Sequence, residues 1–423
     1  MSERRPISAT YRIAVLTFIG GLGGGFAFPI LPALGLRLGI PTLMVGMIMS
    51  ANRITRLVCN VPAGHLIRRV GARFTLSAAL WIETLGVFGY TGALRFGHPT
   101  WWLLIGRVVF GVGTALLLVG SQAAVLALSD KSARGRQISI VRVSMSISMP
   151  AGLVIGGLLA DLYSDDVAFI AGSAITLAGA LLALALLPRR TATPAEHSEG
   201  RKRERLTALL SAANWPFLVG AWAFNLLVFL SLQGILLSTM VVLIERRHLH
   251  PLGLRAQGAS GLIMAVLIAC SALIALQVGR LIDRTALRAT LVIPGLIGLA
   301  AGFATIALVH SSVPLLIVGA ALIGLSANCV NLPMLALLAD GTSERQYGPS
   351  VGVYQFFGDV GGTIGPIAGI EIGVHYGFEP LFLAVAAVML LGVPAAFWIR
   401  HRERLLNAAH PHGHRIDADI PSA

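Results

Sequence analysis

The chain has 423 residues, of which 56% are hydrophobic and only 12% are charged. A soluble domain carries about 25% charged residues, so this composition excludes an ordinary soluble protein and favours a chain whose solvent is the lipid bilayer. The formal net charge of +13 would suit nucleic-acid binding, but the basic residues fall in short segments between apolar runs, so we expect no nucleic-acid partner.

Apolar runs of about 20 residues, the length that crosses a bilayer as a helix, recur along the chain. In the first half they predict spans over residues 12–36, 42–64, 74–95, 101–128, 138–160 and 167–188. The charged stretch 189–213 predicts a cytoplasmic linker. In the second half the runs predict spans over residues 214–244, 257–278, 289–310, 314–338, 350–374 and 380–399.

These spans predict an all-α polytopic membrane protein with twelve transmembrane helices. Its predicted parts are an N-terminal six-helix bundle in residues 1–188, the linker, a C-terminal six-helix bundle in residues 214–400 and a cytoplasmic tail in residues 401–423. Basic residues resist translocation, and 23 of the 32 Lys and Arg lie on the side of the two termini. We therefore expect a multi-pass protein of the cell membrane, a bacterial inner membrane, with both termini cytoplasmic.

The two halves repeat short glycine-containing patterns at nearly one offset. The segment from Gly64 to Arg73 reappears as the segment from Gly279 to Arg288, 215 residues later. Three glycines of the first half match glycines of the second half at an offset of 213, and the pairs are Gly106 with Gly319, Gly111 with Gly324 and Gly152 with Gly365. A constant offset at separated sites predicts a duplicated six-helix unit, so the two bundles are pseudo-symmetric.

These patterns resemble motifs of the major facilitator superfamily, and the resemblance covers roughly residues 10–400. The repeated segment resembles the loop motif G-x-L-x-D-R-x-G-R-R, and the run from Arg107 to Gly113 resembles the arginine-glycine motif of the drug/proton antiporters. Gly152 to Gly157 resembles their span-5 motif. The chain departs from the family pattern at Arg68, where aspartate is usual, and at Leu153, where proline is usual.

The resemblance implies two bundles around a central cavity, with alternating access by rocking about a midplane site. It also implies a gating role for the two loop segments. The residues that carry this implied role are Gly64, Arg69, Gly71, Arg73, Gly279, Asp283 and Arg284.

Six ionisable residues lie within predicted spans, and charge at membrane depth marks candidates for function. The four basic ones are Arg53, Arg56, Arg107 and Arg142. Glu83 is predicted to form a structural salt bridge to Arg53 or Arg56, with a transport role as its alternative. Asp359 is predicted to couple protons or to gate by pairing with the same arginines, with a purely structural bridge as its alternative. Arg142 could instead snorkel to the cytoplasmic interface.

Four amides in the predicted spans complete the candidate substrate and proton-coupling set. They are Asn225, Gln233, Asn328 and Asn331, and interhelical hydrogen bonding is their alternative role. Four arginines against two carboxylates make the predicted cavity electropositive, which favours an anionic or zwitterionic solute.

The sequence predicts no cofactor and no metal site. The three cysteines lie singly in separate apolar segments, and no Walker motif, HExxH or GxSxG occurs. We therefore predict a monomeric secondary transporter, not an enzyme, that exports a small organic solute in exchange for protons. An importer of an organic anion is the alternative, and an intramembrane lipid-modifying enzyme is a third, less favoured function.

Overall fold

We describe a computed structural model of the chain over residues 6–128, 134–187, 215–249, 253–285, 287–342 and 344–409. Every regular element in these ranges is a helix, as the hydropathy pattern predicts. The predicted linker 189–213 and the end of the predicted tail, from residue 410, lie outside the described residues.

The first half forms helices that begin and end close to the predicted spans. They are α1 Pro6–Phe26, α2 Leu31–Arg37, α3 Thr42–Arg95, α4 Pro99–Leu128, α5 Arg134–Leu162 and α6 Asp165–Leu186. The predicted first span is divided in two by a turn at residues 27–30. Pro29 in this turn has no N–H to donate, and Pro32 sits in the first turn of α2, where proline is tolerated.

Helix α3 is 54 residues long and contains both the second and the third predicted span. Its two arms meet at Gly71, which has φ 81° and ψ 168° in the middle of the helix. Side chains with a Cβ are strained in this conformation, so glycine is required at the bend. The non-helical backbone at Gly71 separates the two arms, so the predicted junction between the second and the third span lies at this residue.

The second half contains an unusual seventh span. It passes from α7 Trp215–Val228 through a π-helix at Phe229–Leu236 into α8 Leu237–Arg246. A short 3₁₀-helix, Arg288–Leu291, precedes α10. The remaining helices are α9 Ala256–Arg284, α10 Val292–Leu308, α11 Val313–Asp340, α12 Glu344–His375 and α13 Phe378–Ala409.

Nine helical stretches in the described residues are long and apolar enough to cross a membrane. They coincide with nine of the twelve predicted spans. The other three predicted spans lie in the two arms of α3 and in α12, which carry more polar residues. The all-α membrane fold is confirmed, and the count of twelve stays a prediction.

The chain divides into two compact units. Unit 1 comprises Met1–Glu199, Leu237–Ala265 and Pro366–Glu371, and unit 2 comprises Gly200–Leu236, Val266–Gly365 and Ile372–Ala423. Each unit draws on both halves of the sequence. The predicted boundaries of the two bundles stay a prediction.

Glycines set the close approach of helices within each unit. In unit 1, a Cβ added at Gly25 of α1 would lie 2.7 Å from the Cα of Gly152 in α5. In unit 2, a Cβ added at Gly234 of the π-helix would lie 2.6 Å from the Cα of Gly365 in α12. Small residues let membrane helices pack backbone to backbone. Gly152 and Gly365, which the sequence pairs at an offset of 213, therefore serve the same contact in their own units.

Candidate functional site

Arg107 of α4 is buried in unit 1, with 1% of its surface exposed. Its Nη2 donates a hydrogen bond to the Met49 carbonyl at 2.9 Å, and its Nε donates to the Ile48 carbonyl at 3.4 Å. Its guanidinium lies 5.4 Å from the ring centre of Phe28. Among the described residues it forms no ion pair, so carbonyl dipoles and a ring face stabilise its charge.

Glu83 of α3 is equally buried in unit 1, at 1% exposure. Its Oε1 lies 3.2 Å from the Thr114 hydroxyl of α4, and its Oε2 has no hydrogen-bond partner among the described residues. The carboxyl occupies space left by two glycines. A Cβ added at Gly113 would lie 2.6 Å from Glu83 Cγ, and one added at Gly20 would lie 2.7 Å from Oε2. Among the described residues no arginine forms the predicted ion pair with Glu83.

Asn225 lies in the contact between α7 and α12 of unit 2. Its side-chain amide donates to the Tyr354 carbonyl at 2.6 Å, while its own side-chain oxygen has no partner among the described residues. One turn away, the indole N–H of Trp222 donates to the Ser350 carbonyl. Asp359 follows on α12 and is 2% exposed. The contact therefore holds Asn225, and α12 also carries the buried Asp359.

The two predicted amides of α11 differ in their contacts. Asn328 donates two hydrogen bonds to Ser271 of α9, at 2.7 Å to its carbonyl and 2.9 Å to its hydroxyl. The side-chain oxygen of Asn331 is buried and has no partner among the described residues. Asn328 thus has an interhelical hydrogen bond, while Asn331 keeps an acceptor for another group.

The remaining candidates differ in exposure. Arg53 is 8% exposed, Arg56 and Gln233 are half-buried, and Arg142 is exposed. The predicted pairing of Asp359 with Arg53 or Arg56 stays a prediction.

The two loop motifs are anchored by their last arginines. Arg73 donates to the Leu184 carbonyl of α6. Arg288, at the matching position in unit 2, forms an ion pair with Asp340 of α11. The Glu403 carboxylate of α13 accepts the backbone N–H of Arg288 at 2.7 Å. Each motif therefore ties a helix turn to its own unit, which is a structural role that the sequence did not predict.

The other motif positions are exposed or open. Arg69, Asp283 and Arg284 are exposed, and a Cβ added at Gly279 would meet no atom within 4 Å. Gly64 lies within the first arm of α3, before the kink at Gly71.

A cavity of about 520 Å³ lies in unit 1 at the end of the helices predicted to face outward. At its edge, Arg37 and Asp165 form an ion pair at 2.7 Å. The Asp161 carboxylate accepts the backbone N–H of Arg255 at 2.7 Å. Sequence reasoning missed this polar cluster because it singled out only charges within spans. Among the described residues, no three His, Cys, Asp or Glu side chains come together as metal ligands would.

The model of the Major Facilitator Superfamily matches residues 13–259 and 252–418 of the chain. The chain belongs to this superfamily. It is therefore a membrane transporter and not an enzyme, as the motifs predict.

Several relatives carry transporter names. The chain is 27% identical over 351 residues to the MFS-type transporter YdeG of Bacillus subtilis, and the match covers 80% of this chain and 79% of that protein. It is 26% identical to Multidrug resistance protein 1 of the same organism, over 44% of this chain and 46% of the other. It is 20% identical to the quinolone resistance protein NorA of Staphylococcus aureus, over 51% and 54% of the two chains.

A solved structure shares the fold. A bacterial homologue of the human lysosomal transporter Spinster, in an inward-facing and occupied conformation, superposes with a TM-score of 0.77 at 13% identity, covering 96% of this chain and 99% of that one. At this identity the likeness shows the fold alone.

Proposed function

We propose that the protein exports a small organic solute in exchange for protons by alternating access. The observation that carries this proposal is the presence of two carboxyls in the apolar spans, Glu83 at 1% exposure and Asp359 at 2%. Charge at this depth is costly, so an acid buried there is suited to bind and release a proton during transport. The relatives named for multidrug and quinolone resistance support export as the direction.

In this proposal the solute is anionic or zwitterionic. Four arginines and two carboxylates in the predicted spans give an electropositive interior. Arg107 contributes a charge that no carboxylate neutralises among the described residues. A quinolone, with a carboxylate and an amine, is a zwitterion and fits this field better than a lipophilic cation does.

Asp359 is the gating or coupling carboxylate of the proposal, through the predicted pairing with Arg53 or Arg56. Protonation would neutralise Asp359 and release such a pair, which would bias one access state over the other. Asn225 and Asn331 support a solute site, because each has a side-chain oxygen without a partner among the described residues. The protein acts as a monomer with both termini in the cytoplasm.

The test is transport by the purified protein in proteoliposomes under an imposed pH gradient without ATP. The probes are a zwitterionic quinolone, the aromatic carboxylate p-aminohippurate and the lipophilic cation tetraphenylphosphonium. We expect the gradient to drive the quinolone and not the lipophilic cation. Transport rates that do not depend on the pH gradient for any of the three probes would overturn proton coupling. Gradient-driven transport of a probe in the same direction as the protons would favour the importer.

Asp359→Asn provides the residue-level test. We expect it to abolish gradient-driven transport and to spare counterflow, which needs no proton movement. Glu379→Gln is the matched control, because Glu379 is a partly exposed carboxylate at the start of α13. Unchanged driven transport in Asp359→Asn would remove Asp359 from coupling.

A further inference from the structure

The surroundings of Glu83 suit a proton-binding group better than a structural charge. The carboxyl is enclosed by α1, α3 and α4, and its one described hydrogen-bond partner is the uncharged Thr114 hydroxyl. A permanent buried carboxylate would need further donors or a cation, because an unpaired charge in the bilayer interior costs several kcal/mol. Oε2 has neither among the described residues.

The Thr114 hydroxyl can serve both protonation states of Glu83. It has one hydrogen and lies within hydrogen-bond distance of two acceptors, the Phe110 carbonyl at 2.9 Å and Glu83 Oε1 at 3.2 Å. When Glu83 is ionised, Thr114 donates to the carboxylate. When Glu83 is protonated at Oε1, its O–H donates to the Thr114 oxygen, and Thr114 donates to Phe110. Rotation of one hydroxyl therefore matches the pocket to either state.

The internal repeat indicates that packing alone does not require a carboxyl at this position. Gly86 and Gly106 contact each other in unit 1, as Gly302 and Gly319 do in unit 2. The offset of 216 from Gly86 to Gly302 aligns Glu83 with Leu299, which is 0% exposed. The same helix pair is thus built with leucine in place of the acid.

The repeat also lacks the hydroxyl. The offset of 213 that relates Gly111 to Gly324 aligns Thr114 with Ala327, which is 4% exposed. The carboxyl and its hydroxyl partner therefore occur together in unit 1 and are both replaced by apolar residues in unit 2.

Charged or titratable side chains lie on each of the three helices that enclose Glu83. The titratable or charged side chains of α1 are Tyr11, which is exposed, and Arg12, which donates to a carbonyl of α6. The charged side chain of α4 is Arg107, which donates hydrogen bonds to backbone carbonyls. On α3, Arg53 is buried and Arg56 is half-buried, and the Tyr90 phenol interacts electrostatically with both Arg107 and Glu83. Among the described residues, no cation forms an ion pair with Glu83.

We propose that Glu83 is a proton-binding residue of the transport cycle, with Thr114 as its positioning residue. Binding forms one O–H bond between the carboxylate and a proton from the aqueous phase on one side of the membrane, and release breaks that bond and passes the proton to the aqueous phase on the other side. The inference rests on the proposed function, since it assigns a coupling proton to a second carboxyl. It replaces the structural salt bridge predicted for Glu83 with a proton-carrying role.

The test is infrared difference spectroscopy of the reconstituted wild-type protein as the pH is stepped from acid to alkaline. A protonated buried carboxyl gives a C=O stretching band that ionisation removes. We expect such a band in the wild type, its loss in Glu83→Gln, and its retention in the matched control Glu379→Gln. The same band in Glu83→Gln as in the wild type would overturn the inference.

Variants of Thr114 keep the test decisive where Glu83→Gln does not fold. Thr114→Val removes the hydroxyl at nearly constant volume, so the band should shift in frequency because the carboxyl loses its partner. Thr114→Ser retains the hydroxyl and should restore the wild-type frequency. Identical spectra for all three proteins would contradict the role of Thr114. The titration needs no solute, so a negative result here is distinct from absent gradient-driven transport, which would instead overturn the proposed function.

Discussion

The α3–α4 contact of unit 1 and the α10–α11 contact of unit 2 are two versions of one arrangement. A Cβ added at Gly106 would lie 2.8 Å from the Gly86 carbonyl, and one added at Gly319 would lie 3.1 Å from the Gly302 carbonyl. Both pairs of helices approach through glycines at matching positions. The duplicated sequence therefore retained its packing in both units.

The two contacts differ in what they bury. Unit 1 places three polar side chains in this contact, the buried Glu83 and Arg107 and the half-buried Thr114, and the aligned residues of unit 2 are Leu299, Ala320 and Ala327. All three residues of unit 2 are at most 4% exposed. Since unit 2 forms the same contact with apolar residues at these three positions, packing alone does not require Glu83, Arg107 and Thr114 in unit 1. The difference supports the proposed proton-binding role of Glu83.

The largest expected loss of stability comes from removing the buried Arg107 side chain, which has the most contacts of the three. Arg107→Ala gives unit 1 the residue that unit 2 has at the aligned position, but leaves a cavity beside Phe28. We expect a loss of about 3 kcal/mol in the free energy of unfolding, because cavity formation and lost charged hydrogen bonds outweigh the relief of burying a charge. Chemical denaturation in detergent micelles would measure it, with Arg107→Lys as the milder control. Unchanged stability would contradict the structural role of Arg107.

A smaller loss of stability is expected from adding a side chain at Gly113, which packs directly against Glu83. A Cβ at Gly113 would meet Glu83 Cγ at 2.6 Å and the Ala79 carbonyl at 2.8 Å, so Gly113→Ala should destabilise by about 1–3 kcal/mol. Gly24→Ala is the matched control. Its Cβ would lie 3.5 Å from the Phe110 ring, an ordinary contact. Equal stabilities of the two variants would show that the pocket is looser than the structure indicates.

Converting the acid to the residue of the repeat should change stability little. Glu83→Leu exchanges a buried acid for an apolar side chain of similar volume, so the free energy of unfolding should change by less than about 1.5 kcal/mol. The same denaturation measurement would check it. A loss comparable to that of Arg107→Ala would instead make Glu83 a structural residue.

The smallest effect is expected for an exposed charge. Arg95 and Asp166 form an ion pair at 2.6 Å, with 57% and 28% of their side chains exposed. Asp166→Asn should cost at most about 1 kcal/mol, and less at high salt, because water screens the pair. A larger loss that persists in high salt would show that charge removal itself, at any depth, destabilises this protein.

Much of the fold could be predicted from the sequence, because a bilayer permits few solutions. Apolar length located nine spans, and the glycine offsets identified Gly152 and Gly365 as equivalent contacts. The division of the first span into two helices at residues 27–30 and the bend at Gly71 itself were not predicted. Hydropathy records apolar length, whereas a break at Pro29 or a bend at Gly71 depends on backbone conformation.

The candidate site could be predicted only in part. Depth in the membrane singled out Glu83 and Arg107, but depth does not tell which way a side chain points around its helix. The contact of Glu83 with Thr114 depends on the absence of a side chain at Gly113, the residue just before Thr114. The signal available in the sequence was Thr114 itself, a hydroxyl residue that directly follows the arginine-glycine motif from Arg107 to Gly113.

A comparison of two rates in Glu83→Gln, gradient-driven transport and counterflow, tests most directly whether Glu83 carries a coupling proton. Both rates would be measured in proteoliposomes with the zwitterionic quinolone, beside the wild type and Glu379→Gln. We expect counterflow at the wild-type level and driven transport reduced to that of protein-free liposomes. Driven transport equal to that of the wild type would contradict the account and leave Glu83 without a part in coupling.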